Sequence, residues 1–197
     1  MQAVLTGDII SSQSSNDWQQ ELINVLNAYG AEPNEWELFR GDSFQLELNA
    51  EQALAAAIHI KAAIKTFSEL DVRIAIGLGD KNYNAPKVTQ SNGSAFVHSG
   101  TAFDTIKKNT LVLKSDNTEF DTTINLMLSL ATLTMDLWPP VTAAIIKTQL
   151  EQPQLNQTEL SELMGKAQSA ISKALSRAGY TEITRLIQYY TETLKKH

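Results

Sequence analysis

QTELSELMGKAQSAISKALSR, residues 157–177, reads as two short helices joined by a tight turn. Leu160, Leu163 and Met164 fall at three- and four-residue steps on the first helix, and Gly165 supplies the turn. Ile171 and Leu175, four apart, line the inner face of the second. Lys166, Gln168, Ser169, Ser172, Lys173, Ser176 and Arg177 are then left for the outer face. Such side chains reach base edges and phosphates in a major groove. The pattern is that of a helix-turn-helix, and double-stranded DNA is the expected partner.

An ordinary helical corner has the same outline, because glycine turns join helices in many all-α proteins. Three details favour the nucleic-acid reading. Ser161, four residues before Gly165, is small, as a close helix crossing requires. The second helix carries Lys173 and Arg177 and no acid, in a chain of net charge −6. Its outer face is rich in Ser and Gln, mediocre helix formers that a merely solvated face has no need of. The string QSAISKAL also resembles the recognition helices of many bacterial regulators.

The flanks of this stretch are helical too. Ile124 to Leu137 is apolar on nearly every side, and such a helix is expected to be covered all round. Trp138-Pro139-Pro140 ends it and starts another, Val141 to Leu150, the expected first helix of a three-helix unit. Gly179 breaks the chain, and Thr181 to Leu194 carries Ile183, Leu186, Ile187, Tyr190 and Leu194 along one stripe. No strand pair follows residue 177, which favours a trihelical unit over a winged one.

Towards the start the periodicity changes. Residues 2–10 read as a buried strand, and Asp17 to about Ala28 as a helix with Trp18, Leu22, Val25 and Leu26 in one stripe. Trp36–Phe39 and Phe44–Leu48 read as two strands around a turn at residues 40–43. Phe44, Leu46 and Leu48 alternate with Gln45 and Glu47, which predicts one covered and one wet face. Glu51 to about Phe67 is an Ala-rich helix with Ala57, Ile60, Ile64 and Phe67 inward, and Val72–Leu78 a strand. The order β-α-β-β-α-β is the split, ferredoxin-like arrangement. A polar loop to about Gly93, a short helix over 95–107 and a last strand over 110–114 follow. The expected fold class is therefore α+β: a ferredoxin-like, cyclase- or palm-like sheet domain over 1–118, then an all-α domain with the helix-turn-helix over 119–197.

In that sheet the first strand pairs antiparallel with the third, which places Asp8 beside Asp42. Two carboxylates at a sheet rim, with Gly7 and Gly41 letting backbone approach, are a set that holds Mg²⁺ and through it a triphosphate. Gly-Asp and Asp-Ser are also common turn dipeptides. Asp8 inside an apolar run is the harder of the two to assign to a turn, since an unpaired charge beside a core is costly.

TGDIISS (6–12) and FRGDSF (39–44) resemble the two metal-binding motifs of class III nucleotide cyclases and related palm domains. The resemblance covers roughly residues 2–114. It implies Asp8 and Asp42 as metal ligands, Mg²⁺ with a nucleotide as cofactor, and Gly7, Arg40, Gly41 and Ser43 as the ligand-binding surroundings. Leu38 stands where cyclases place a base-selecting Lys or Glu, and residues 93–103 offer neither the Asn nor the Arg that stabilises the cyclase transition state. Those departures argue against turnover. TGDI, RGDSFQ and a C-terminal helix-turn-helix together resemble the SatD-like family of bacterial proteins, which implies a regulatory role.

Composition narrows the alternatives. With no cysteine there is neither a disulfide framework nor a thiolate site. His59, His98 and His197 show no metal-ligand spacing and read as packing or surface residues. No apolar run approaches a membrane span and no signal-like segment opens the chain, so a cytoplasmic protein with no membrane partner is expected. Residues 119–197 hold seven basic and eight acidic side chains, against nine and fourteen in residues 1–118. Non-specific attraction to DNA is then weak, and a homodimer is expected to supply the affinity. The leading expectation is a transcriptional regulator whose sheet domain senses a small-molecule effector. The alternative is a metal-dependent nucleotide cyclase or nucleotidyltransferase relative with accessory helices.

Overall fold

Alternation builds β1, Gln2–Ile10: Ala3, Leu5 and Ile9 point to one side, Val4, Thr6 and Asp8 to the other. The computed structural model describes residues 1–14 and 17–196; His197 lies outside them. Four further strands, β2 (Trp36–Phe39), β3 (Ser43–Asn49), β4 (Asp71–Gly79) and β5 (Leu111–Lys114), complete one sheet in the order β2-β3-β1-β4-β5. β1 runs antiparallel to both β3 and β4, as expected for the first and third strands, and β5 adds in parallel to β4. Eight α-helices accompany the sheet among the described residues, so the class is α+β with a mixed sheet.

The first three helices sandwich the sheet. α1 (Trp18–Asn27) and α2 (Ala53–Ile64) cover the face that carries Leu5, Ile74 and Ile76. α3 (Ser94–Thr105) lies on the opposite face, where β4 presents Ala75 and Gly77. A Cβ on Gly77 would stand 2.2 Å from the Ala95 carbonyl oxygen and the Ser99 nitrogen, so the close approach of α3 requires glycine there. Thr6 and Ser99 share a hydroxyl hydrogen bond of 2.5 Å across that contact.

The wet face expected for β3 is not found. Glu47 is 7 % exposed, and Lys81 Nζ donates to its Oε2 at 2.5 Å. The polar segment after β4 covers this side: Tyr83 bridges to Asn92, and Val88 enters a small second core with Val4, Ala95 and Phe96. Alternation correctly marked two faces, but the second is closed by a loop.

The remaining helices are α4 (Thr118–Met135), α5 (Pro140–Glu151), α6 (Gln157–Leu163), α7 (Gln168–Arg177) and α8 (Tyr180–Leu194). Local chemistry delimits them. The Asn117 side chain accepts from the Phe120 N–H at the start of α4, and Pro140 occupies the first turn of α5. Asn156 and Glu159 form a capping box on α6. Gly179, at φ 68°, separates α7 from α8. The α4–α5 corner is fixed by Trp138, 3 % exposed, whose indole N–H donates to the Ala178 carbonyl at 3.1 Å. None of these helices is long and apolar enough to cross a membrane.

α5 and α8 pack onto the outer side of α2, which is why every residue of α2 except Ala55 is buried. Ala57, Ile60 and Ile64 face the core as expected, with Phe67 partly buried beyond them, but the side opposite is covered as well. Two polar residues of α2 meet partners there. Lys61, 1 % exposed, lies 2.6 Å from Asp71 Oδ1 and 2.7 Å from Asp136 Oδ1, and donates to Thr110 Oγ1 at 3.1 Å. Lys65 donates to the Asp136 carbonyl at 2.6 Å. On α8 the Tyr190 hydroxyl donates to the Ala50 carbonyl, also at 2.6 Å.

His59 is the second buried polar group of α2. Its Nδ1 lies 3.0 Å from the Tyr29 hydroxyl and its Nε2 3.2 Å from Glu151 Oε1. These partners assign the neutral tautomer that accepts from Tyr29 and donates to Glu151. Burial pushes the Tyr29 phenol up to about 12, with the Glu151 charge adding to it. Burial likewise lowers the His59 pKa below 6.5, outweighing the opposing pull of Glu151 and Glu21, while Lys147 lowers it further. The unfolded chain therefore binds the proton more readily, and stability present above pH ~6.5 is lost as the pH falls below it. Urea denaturation at pH 7.5 and 5.5 should show His59→Gln with a shallower pH dependence than the wild type. The difference should not exceed about 1.4 kcal/mol per pH unit; parallel profiles would mean His59 titrates alike folded and unfolded.

The chain itself covers α4 on one side only. Phe120, Ile124, Leu128 and Met135 are buried against β5 and α8. Leu126, Leu130, Leu133 and Leu137 are 60–78 % exposed on the other side.

Candidate functional site

Two groups of residues carry the chemistry expected from the sequence, and the fold places them apart. The first is on α6 and α7. Leu160 is buried, Ser161 is 7 % exposed at the crossing, and Ile171 and Leu175 seat α7 against α5 and α6. Gly165 adopts φ 60°, and the Lys166 N–H donates to the Ser161 carbonyl to close the turn. Leu163 departs from expectation: it is 61 % exposed, because α6 ends there and the chain turns away before its side chain meets α7. Met164, at intermediate exposure, packs against the core in its stead.

The outer face of α7 is open to solvent. Lys166, Gln168, Ser169, Lys173, Ser176 and Arg177 are exposed, and Ser172 is half-buried. Gln168 Nε2 donates to Gln157 Oε1 at 3.1 Å, which orients the first side chain of α7. Among the described residues Lys166, Lys173 and Arg177 form no ion pair. No acid lies on α7. Lys173 and Arg177, four apart, thus share the exposed side of α7, with Lys166 just before it.

The second group lies at one end of the sheet. Asp8 pairs in register with Ser43, and the Ile9 N–H donates to the Asp42 carbonyl at 3.1 Å. The two carboxylates line one cleft of about 540 Å³ with Ser12, Arg73 and Lys107. Gly7 is required by packing, since a Cβ would stand 2.5 Å from Phe44 Cζ and 2.7 Å from the Arg73 carbonyl oxygen. Arg40 and Gly41, at φ 53° and 91°, form the β2–β3 turn, both exposed, and Ser43 follows at intermediate exposure.

Asp8 is already engaged. Arg73 Nε donates to its Oδ1 at 2.9 Å, and Arg73 Nη2 to its Oδ2, a bidentate pair. Hydrogen bonding to Asp8 raises the Arg73 pKa, with a further contribution from the Asp42 charge. The guanidinium also lies 5.8 Å from the centre of the Phe103 ring. Asp42 accepts from Ser12 Oγ at 2.8 Å. Each Asp8 oxygen thus already accepts from a cation that the chain supplies itself, and a Mg²⁺ here would share the carboxylate with Arg73. Among the described residues no three His, Asp or Glu side chains come together as a metal site. His98 stays with the structural residues: Nδ1 lies 2.7 Å from the Leu78 carbonyl oxygen and Nε2 3.4 Å from Asp116.

Sequence reading missed the Asp8–Arg73 pair and the buried partners of Lys61 and His59. A signal for the latter was present: a histidine and a lysine two apart inside AAAIHIKAAI, where a singly covered helix would keep them at its wet edge.

Fold and sites together define an α+β protein in which a mixed sheet and a cluster of helices, one with an exposed basic face, share the main core. The chain belongs to the SatD family, which its sequence matches over residues 3–189. No curated protein and no solved structure matches it.

Proposed function

We propose that this chain is a DNA-binding transcriptional regulator. In this reading α5, α6 and α7 act as a helix-turn-helix within a helical domain of residues 119–197, and α7 enters the major groove of double-stranded DNA. A ferredoxin-like domain, residues 1–118, takes a small-molecule effector at the rim cleft lined by Asp8, Asp42 and Arg73. The chain acts as a homodimer, so that two α7 helices meet successive grooves ~34 Å apart. One observation carries the reading: α7 is anchored from below by Ile171 and Leu175, while Lys166, Lys173 and Arg177 stand exposed without an internal partner.

Metal-dependent nucleotidyl chemistry at the rim has less support. Arg73 occupies Asp8, and α3 carries neither Asn nor Arg to stabilise a developing phosphate charge. Gel-shift titration with genomic fragments tests the DNA reading. Loss of one bidentate base contact costs about 1–3 kcal/mol, so Gln168→Ala/Lys173→Ala/Arg177→Ala should abolish the shift of any fragment the wild type retains. Its dependence on salt should also be shallower for Lys166→Ala, by about one phosphate contact. Wild-type affinity in the triple variant would remove α7 from the interface.

A further inference from the structure

The apolar residues of α4 and of the turn just after it, Leu137, divide into two sets. Ile124, Leu128 and Met135 face the core, while Leu126, Leu130, Leu133 and Leu137, at steps of four, three and four, form a ridge on the opposite side. Val141, 58 % exposed, continues it beyond the Pro corner. From Thr122 to Met135 the helix carries no charge. These five side chains expose on the order of 500 Å², as much as the largest apolar patch of a typical monomer.

Beside the ridge runs a groove of about 750 Å³ between α4 and α8, lined by Met127, Leu130, Ile183, Leu186 and Tyr189. Glu182 and Arg185 also line it, and among the described residues neither forms an ion pair. The groove ends at Ser176 and Arg177, the last turn of α7.

We infer that this face is a twofold interface, and that its occupant is a second copy of the chain. Three observations favour a copy over a partner of other chemistry. An isologous contact needs projection and recess on the same surface, and here the ridge and the groove lie side by side, sharing Leu130. Glu182 and Arg185 give that surface one acid and one base, so each can meet its opposite across the axis. Seating one ridge in the other's groove removes on the order of 1,000 Å² from the ridges alone, and the groove walls bring the total into the range of stable interfaces. The inference locates the homodimer proposed above and rests on that part of the reading only. The interface adjoins the C-terminal end of α7, so pairing sets the separation of the two basic faces.

Light scattering on the full chain at micromolar concentration should give twice the 21.7 kDa of one copy. Leu130→Glu with Leu133→Glu, both on the exposed ridge, should give 21.7 kDa with an unchanged far-ultraviolet spectrum. Val97→Glu, at an equally exposed position on α3, should remain dimeric. A wild-type mass of one copy would overturn the inference, and so would a dimer that persists in the double Glu variant. The DNA reading fails separately: a dimer that shifts no fragment leaves this interface standing.

Discussion

Urea denaturation of Lys61→Met is expected to show a loss of about 3–5 kcal/mol, the cost of removing one partner from a buried charge cluster. The Lys61 ammonium is 1 % exposed and stands between Asp71, at the start of β4, and Asp136, just past the end of α4. Without it the two carboxylates lose their shared cation, with Thr110 Oγ1 left on Asp136 and Lys65 left 3.5 Å from Asp71 Oδ2. Met has nearly the length of the lysine stem, so the loss measures charge more than volume. Lys61→Met combined with Asp71→Asn should lose less than the single variant, because one orphaned charge is removed with its partner. A loss below about 1 kcal/mol in the single variant would mean that water reaches the cluster and compensates for the ammonium.

Trp138→Ala should be comparably damaging, by about 3–5 kcal/mol for a buried indole replaced by a methyl group. The ring fills the corner between α4 and α5, and its N–H satisfies the Ala178 carbonyl at the end of α7. Two variants separate these contributions. Trp138→Phe keeps most of the packing and leaves the Ala178 carbonyl without its donor, at a cost of about 1–3 kcal/mol. On the proposed function Trp138→Ala also weakens DNA binding under conditions where the chain stays folded, since α7 loses the contact that fixes its last turn. Gel-shift titration beside the denaturation curve reads both effects. Full stability in Trp138→Ala would show that the corner is held by Pro139 and Pro140 instead.

What was legible in the sequence follows from where each signal resides. Strands β1, β3 and β4 and helix α1 were readable because period-two and period-3.6 patterns lie within the segments themselves. The meeting of Asp8 with residues 42–43 followed from the strand order, since register converts topology into proximity. Glu47 and α4 depart from their patterns in opposite directions within one copy: a pattern reports the polarity of a face and says nothing of what lies over it. Glu47 is polar and buried, because Lys81 on a distant loop neutralises it. The outer leucines of α4 are apolar and largely open, because no other described part of the chain covers them. The pairing of Asp8 with Arg73 was hidden similarly, as two residues 65 positions apart that only the β1–β4 register brings together.

The complete burial of α2 has a consequence for how such a chain can be cut and recombined. Many regulators are assembled from parts that each close their own core and are joined by a tether. Here α2 is a party wall, with the sheet leaning on one side of it and α5 and α8 on the other. A cut after residue 118 would leave His59 and Lys61 without Glu151 and Asp136, and would bare the outer flank of α2 along its length. Helices α4 to α8 therefore cannot be grafted onto another sheet by exchange at that point. A chimera that preserves the fold must carry α2 and its charge partners with the helices.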